Sequence, residues 1–187
     1  GMERFAGPSW HSARWNHEVD LTGKRVAVVG TGASAIQFVP EIQKSVKQLD
    51  LYQRTAPWIM SKPDRAISST EKFLFKKVPA TQRIARELIY WLLESRVIGF
   101  AINPKLMKLA KNMALKHIHS QVSDPELRDK VTPDYTIGCK RILMSDTYYP
   151  ALTQPNVDVI NLGIKEVTKT GVVDSEGNHR DVDVIIY

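Results

Sequence analysis

The sequence predicts an α/β fold: a parallel sheet, a helical insertion and a terminal β-meander. Three observations carry that expectation. A continuous β-branched run, Arg25-Val26-Ala27-Val28-Val29, marks a strand buried on both faces. A glycine turn and a stretch of helical spacing follow it at once, and a second apolar strand over residues 49–54 closes a βαβ unit. From residue 61 to 133 the pattern turns helical throughout, and strands resume only after Thr136.

Taken in order, residues 1–20 hold two tryptophans, two histidines and a Gly-Pro with little periodicity, and read as an ordered linker. The strand at 25–29 is followed by a helix over 33–47, with Ile36, Val39 and Ile42 on one side. Pro40 falls inside it, where a missing N–H and a crowding ring predict a bend. Helices are predicted at 71–77, 82–102 and 105–122, separated by Pro79, Pro104 and Ser123-Asp124-Pro125. The central one is apolar nearly all round: Ile84, Leu88, Trp91 and Leu92 on one side, Ile89, Leu93 and Val97 on another. Such a helix is expected to be buried or to face a partner. Residues 148–152 suit one helical turn capped by Ser145 or Asp146. A strand follows at 157–160, and two more, 164–173 and 180–187, flank the turn Ser175-Glu176-Gly177-Asn178. The last run ends in a buried strand with no loop after it, so the sequence reads as a piece of a longer protein. The domain plan is then a linker over 1–20, a discontinuous nucleotide-binding domain over 21–60 and 134–187, and a helical insertion over 61–133.

Composition fits this plan. At 187 residues, with 43% hydrophobic and 25% charged side chains, the chain suits one sizeable soluble domain carrying an insertion. The single cysteine, Cys139, excludes an internal disulfide and fits a reducing, cytoplasmic compartment. The net charge of +6 comes from scattered lysines and arginines, which argues for a solvated surface and against nucleic acid. A ligand carrying several phosphates would be drawn to it. The most apolar stretch, 88–102, contains Glu94 and Arg96 and is too short and too charged to span a membrane.

The chemistry sits first in Gly30-Thr31-Gly32-Ala33-Ser34-Ala35, a GxGxxA pattern. Gly30 permits a tight turn, Gly32 lets a pyrophosphate approach the backbone, and Ala35 allows close helix–strand packing. Phosphates would rest on free N–H groups at the helix start, with Gln37 one turn further as a candidate contact. Position after a buried strand and before a helix is the context that makes this a dinucleotide site. A count of about twenty residues onward lands on Asp50, which would favour NAD. Ligands bind outside the carboxyl ends of strands, however, and Gln53-Arg54-Thr55 occupies that end. Arg54 can grip a 2′-phosphate as a fork, with the Thr55 hydroxyl beside it, so NADP is expected.

Phe5, Gly7, His11 and Trp15 form FxGxxxHxxxW, which resembles the fingerprint of Baeyer–Villiger monooxygenases and, in a variant form, of the wider flavin-containing monooxygenases. Asn16 follows the tryptophan where that family often has Pro or Asp. Gly138-Cys139-Lys140-Arg141 and the run from Ser145 to Leu152 extend the likeness, which then covers practically the whole chain. The resemblance implies a Rossmann-like NADP-binding domain of the two-dinucleotide-binding-domain flavoprotein type. It implies that Lys140 joins Arg54 on the 2′-phosphate and that Arg141 reaches the flavin, where a permanent cation suits a developing negative oxygen. His11 is the second catalytic candidate. The implied enzyme uses NADPH, FAD and dioxygen to turn a small ketone into an ester or lactone. The FAD domain would be the missing partner in the same polypeptide, and the fragment alone would be inactive. The apolar helix could pair two copies. The alternatives are an N- or S-oxygenating flavin monooxygenase, the NADPH domain of a disulfide reductase-like flavoprotein, and a non-catalytic nucleotide-binding module.

Overall fold

The computed structural model describes residues 1–62, 64–97 and 106–187. In chain order its elements are β1 (Ser9–Trp10), β2 (Arg25–Val29), α1 (Ala35–Ile42), β3 (Gln48–Tyr52), β4 (Ile59–Met60), α2 (Ser69–Lys77), α3 (Pro79–Val97), α4 (Leu106–Gln121), α5 (Pro125–Val131), β5 (Leu143–Met144), α6 (Tyr148–Leu152), β6 (Val157–Ile160), β7 (Ile164–Val167), β8 (Gly171–Asp174), β9 (His179–Asp181) and β10 (Val184–Ile186). They fall into two units, Gly1–Ser61 with Ala114–Tyr187, and Lys62–Met113.

The first unit is built on a five-stranded, all-parallel sheet in the order β1-β10-β2-β3-β6. The β-branched run of β2 lies at its centre, paired with β3 on one side and β10 on the other. From β2 the chain moves outward to β3 and β6, then returns across β2 to β10. That reversal opens a crevice at the carboxyl ends of β2 and β10, where an open α/β sheet takes its ligand. Strand alternation sorts the core. Ala27, Tyr52, Ile160 and Ile185 face Val167, Val172 and Val182 of the following hairpins. On the helical side, α1 and α6 pack on each other with Ile36, Val39, Tyr148 and Leu152 buried. The α/β class holds, with a parallel sheet of the Rossmann kind.

Several elements differ from the expectation. The segment 164–173 is two strands, because the Thr168 hydroxyl accepts the Gly171 N–H at 3.1 Å and turns the chain. A Cβ at Gly171 would strike the Arg180 backbone, so only glycine permits the close β8–β9 pairing. The run 180–187 also divides: β9 completes the antiparallel β7-β8-β9 sheet, whereas β10 enters the parallel one. Asp183 sits at that junction and accepts from the Arg25 backbone N–H and guanidinium, each at 2.8 Å. The turn between β8 and β9 lies where predicted, with the Asp174 carboxylate accepting the Glu176 and Asn178 N–H groups. The linker is not free of structure. Its Ser9 and Trp10 form the edge strand β1, through Pro8 O from the Ile185 N–H and Trp10 O from the Tyr187 N–H. Helix α1 is shorter than the 33–47 expected, and Pro40 lies within it, buried. Of the two candidate caps for α6, Ser145 is the one whose hydroxyl accepts the Tyr148 N–H.

The second unit starts with α2, held by a reciprocal capping box of Ser68 and Glu71. Pro79 separates α2 from α3 as expected but itself opens α3, three residues before the predicted start at 82, as suits a residue with no N–H to lose in the first turn. Positions 98–102 of the predicted central helix lie outside the described residues. Burial of its apolar faces is not observed: Ile84, Leu88, Ile89, Trp91, Leu92 and Leu93 are all exposed, Leu88 to 67%. Among the described residues no helix is long and apolar enough to cross a membrane.

Candidate nucleotide-binding site

The Gly30 backbone has φ +99°, a left-handed conformation that side chains resist, and its N–H donates to Tyr52 O at 2.8 Å. This bond fastens the turn after β2 to the end of β3. At Gly32 an added Cβ would meet nothing within 4 Å, so the space above the turn is open. Ile36 is the first amide to find a helical carbonyl, that of Gly32 at 3.2 Å. The amides of Ala33, Ser34 and Ala35 therefore remain available to an anion at the positive end of α1. The Gln37 side chain donates to Ala33 O at 2.8 Å and braces the turn from outside. Ala35 is buried, as close helix–strand contact requires.

Facing this turn lies the FxGxxxHxxxW segment. A Cβ on Gly7 would come within 2.8 Å of the Phe5 ring and 2.7 Å of Asp183 O, so glycine is what lets Phe5 fold onto the core. The His11 Nδ1 accepts the Ala13 N–H at 3.0 Å, which places the proton of the neutral ring on Nε2. His11 also meets Tyr187 edge-to-face with centroids 5.8 Å apart, and the Ser12 N–H donates to Tyr187 O at 2.6 Å. Trp15 packs on Phe38 of α1 at 5.1 Å. Between the two walls is a cleft of about 270 Å³, lined by Gly30, Gly32, Ala33, Ser34, Ala35 and Phe38 on one side and by His11, Ser12, Ile186 and Tyr187 on the other. It lies at the carboxyl ends of β2 and β10, where the strand order reverses.

The remaining candidates lie outside that lining. Thr31 is half-buried within the turn. Arg54 stands two residues beyond Tyr52, exposed, and among the described residues makes no hydrogen bond or ion pair; Thr55 next to it is half-buried. Gln53 points inward and donates to Lys130 O and Asn161 Oδ1, both at 2.8 Å. Asp50 is the third residue of β3, its side chain only 5% exposed and 3.2 Å from Arg180 Nη1. Burial pushes its carboxyl above the usual range, and it is engaged inside the sheet, away from the crevice. Lys140 and Arg141 are exposed in a turn set by Gly138 at φ +97°. The Lys140 Nζ rests 4.5 Å above the Tyr135 ring, whereas Arg141 has no partner among the described residues. Tyr148 and Tyr149 are buried, which pushes both phenols up, and they serve packing.

A family profile described as flavin-binding monooxygenase-like matches residues 1–187. The chain belongs to this family. A Baeyer-Villiger monooxygenase of Pseudomonas aeruginosa is 60% identical over all 187 residues, and one of Streptomyces coelicolor is 46% identical over the same span. In both cases the chain covers 36% of the relative, so it spans about a third of their length. Among solved structures, an oxidized steroid monooxygenase bound to NADP superposes with a TM-score of 0.84 at 28% identity, over all of this chain and 42% of that one. A complex of OTEMO with FAD and NADP gives 0.81 at 27%, over all of this chain and 43% of that one.

Ser12, Phe38, Ile186 and Tyr187 join the cleft without having been singled out in the sequence. Phe38 is one turn beyond Ser34 and could have been found from helical spacing. The other three depend on β10 lying beside β2, which no local pattern reveals.

Proposed function

We propose that the chain is the NADP(H)-binding part of an FAD-dependent Baeyer–Villiger monooxygenase, an enzyme converting small ketones to esters or lactones with NADPH and dioxygen. One observation carries this: the crevice at the strand-order reversal has the open amides of Ala33, Ser34 and Ala35 on one wall and the fingerprint histidine on the other. NADP(H) would be held by the backbone of Gly30, Thr31, Gly32, Ala33, Ser34 and Ala35, with Gln37 bracing them. Its 2′-phosphate would be held by Arg54, Thr55 and Lys140. The open space over Gly32 and the guanidinium of Arg54, unpaired among the described residues, fit such a ligand. His11 would present its Nε2–H to the cleft. FAD, when bound, supplies the oxygen chemistry. Arg141, exposed and unpaired among the described residues, would contribute a permanent cation toward it. The relatives' names favour ketone oxygenation over attack on nitrogen or sulfur.

In this reading residues 1–20 link to an FAD domain of the same polypeptide, 21–60 and 134–187 hold the nucleotide, and 61–133 are inserted. The protein works in the cytoplasm, and the chain alone does not oxidise NADPH even with FAD added. Calorimetric titration of NADP⁺ and NAD⁺ into wild type and Arg54→Ala tests the core of it. A charge-assisted fork is worth about 1.5–3 kcal/mol, so the variant should lose NADP⁺ affinity by roughly ten- to a hundredfold and keep its NAD⁺ affinity. Equal wild-type affinities for the two would remove the NADP assignment. Products of the longer enzyme with a ketone and an amine separate Baeyer–Villiger from heteroatom oxygenation.

A further inference from the structure

Arg54 and Lys140 are far apart in sequence, yet one residue ties their segments together. Four residues after Arg54, the Trp58 indole N–H donates to Tyr135 O at 2.9 Å, and the Trp58 backbone N–H donates to the Tyr135 hydroxyl at 3.3 Å. The rings of Trp58 and Tyr135 meet edge-to-face at 6.4 Å. Beyond the Lys140 turn, the Leu143 N–H donates to Trp58 O at 2.9 Å, and β4 pairs with β5. Tyr135 is thus fixed at its carbonyl, its hydroxyl and its ring. A face of that ring carries the Lys140 ammonium, 4.5 Å from its centroid.

We propose that Tyr135 is a positioning residue for coenzyme choice, holding the Lys140 ammonium by cation–π attraction in register with Arg54. The proposal rests on the reading of Arg54 and Lys140 as 2′-phosphate ligands. An exposed lysine otherwise samples many rotamers and must give them up on binding. A ring held against Trp58 removes part of that loss in advance. It leaves the ammonium hydrogens on the solvent side for an anion, because the attraction is to the π face and uses no hydrogen-bond acceptor. NAD has no 2′-phosphate, so its affinity should not sense the ring.

The test is the ratio of NADP⁺ to NAD⁺ dissociation constants, by calorimetry, for wild type, Tyr135→Leu, Tyr135→Phe and Lys140→Met. Exposed cation–π contacts are worth about two- to fivefold in binding, so Tyr135→Leu should cut the NADP⁺ preference by that factor with NAD⁺ affinity unchanged. Tyr135→Phe keeps the π face and should keep the preference. In the Lys140→Met background the leucine substitution should have no further effect on it. If Tyr135→Leu does not fold, pentafluorophenylalanine at position 135 retains the shape while reversing the ring's charge distribution, and should lower the preference in the same way. A wild type that prefers NADP⁺, with that preference unmoved by loss of the π face, overturns the role of Tyr135 and leaves the NADP reading standing. A wild type with no preference overturns both.

Discussion

Substituting Arg180 by methionine should destabilise the fold by about 2–3 kcal/mol, most strongly at neutral pH. Arg180 reaches from β9 to two carboxylates, Asp50 Oδ1 at 3.2 Å and Asp158 Oδ2 at 2.6 Å. Across 3.2 Å, at an effective dielectric of about 20, unit charges attract by about 5 kcal/mol. Much of that offsets the cost of taking Asp50 out of water, and the guanidinium, 37% exposed, is partly screened. Removing it leaves Asp50 buried with the Gln48 amide at 3.1 Å as its one remaining side-chain donor among the described residues. Burial already holds the Asp50 carboxyl above its unfolded value, and loss of the arginine raises it further. A carboxylate with a raised folded pKa penalises the fold fully above that pKa and ceases to do so once protonated. The deficit of Arg180→Met should therefore shrink as pH falls from neutrality through the titration of Asp50, and Asp50→Asn should remove most of it. Urea unfolding followed by circular dichroism at several pH values measures this. A deficit below about 0.5 kcal/mol, or one that grows on acidification, would refute the reasoning. Asp50→Asn should also leave the coenzyme preference unchanged, since that carboxylate is turned into the sheet.

Other substitutions separate fold from site. Gly32→Val meets open space, so melting should shift little, while NADP⁺ affinity falls at least about tenfold by calorimetry, because the branched side chain fills the approach to the amides. Gly30→Ala forces a Cβ onto φ +99° and should cost about 1–2 kcal/mol in chemical denaturation, whether or not nucleotide is present. Gly7→Ala drives a methyl into the Phe5 ring and Asp183 O and should cost about 1–3 kcal/mol; a neutral outcome would contradict the packing described. The apolar surface of α3 should make the chain self-associate, and Leu88→Arg with Leu92→Arg should reverse it, as sedimentation velocity over a concentration series would show. A monomer at every concentration removes the homodimer.

The parts of the fold legible beforehand are those where burial and hydrogen bonding act locally. Residues 25–29 have no polar side chain to place in water once Arg25 is at the edge, so only a doubly covered strand suits them. The Gly177 turn and the glycine turn at 30 announce themselves by conformational need. The misread segments depended on distant partners. Residues 164–173 look like one strand until Thr168 caps a turn whose tightness rests on Gly171 abutting Arg180. Strands β1, β4 and β5 have two residues each, too few for any period to show. Helix α5 did have a signal, Asp124 before Pro125, and the Asp124 carboxylate accepts the Glu126 and Leu127 amides. It reads equally well as a separator between helices, because a cap and a break use the same residues.

The fingerprint shows how far a motif and its physics can diverge. Its spacing reads as a binding signature, yet three of its four residues act on the chain itself. Phe5 joins the core behind the meander, Gly7 makes room for that ring, and Trp15 reaches Phe38 on the helix that follows the glycine turn. Of the four, only His11 lines the cleft, and even its Nδ1 is committed to the Ala13 amide. The linker is thus clamped on both sides of the cleft, to the β10 side through Tyr187 and to α1 through Trp15. A ligand seated between those clamps would touch the amides after the glycine turn and the linker together. Loosening Trp15→Ala should therefore weaken NADP⁺ binding without touching any group that contacts phosphate. In the Phe38→Ala background, which removes a lining residue of its own, Trp15→Ala should cost less than it does alone, because the two rings share one contact. Additive losses in that cycle would mean that the tryptophan acts elsewhere.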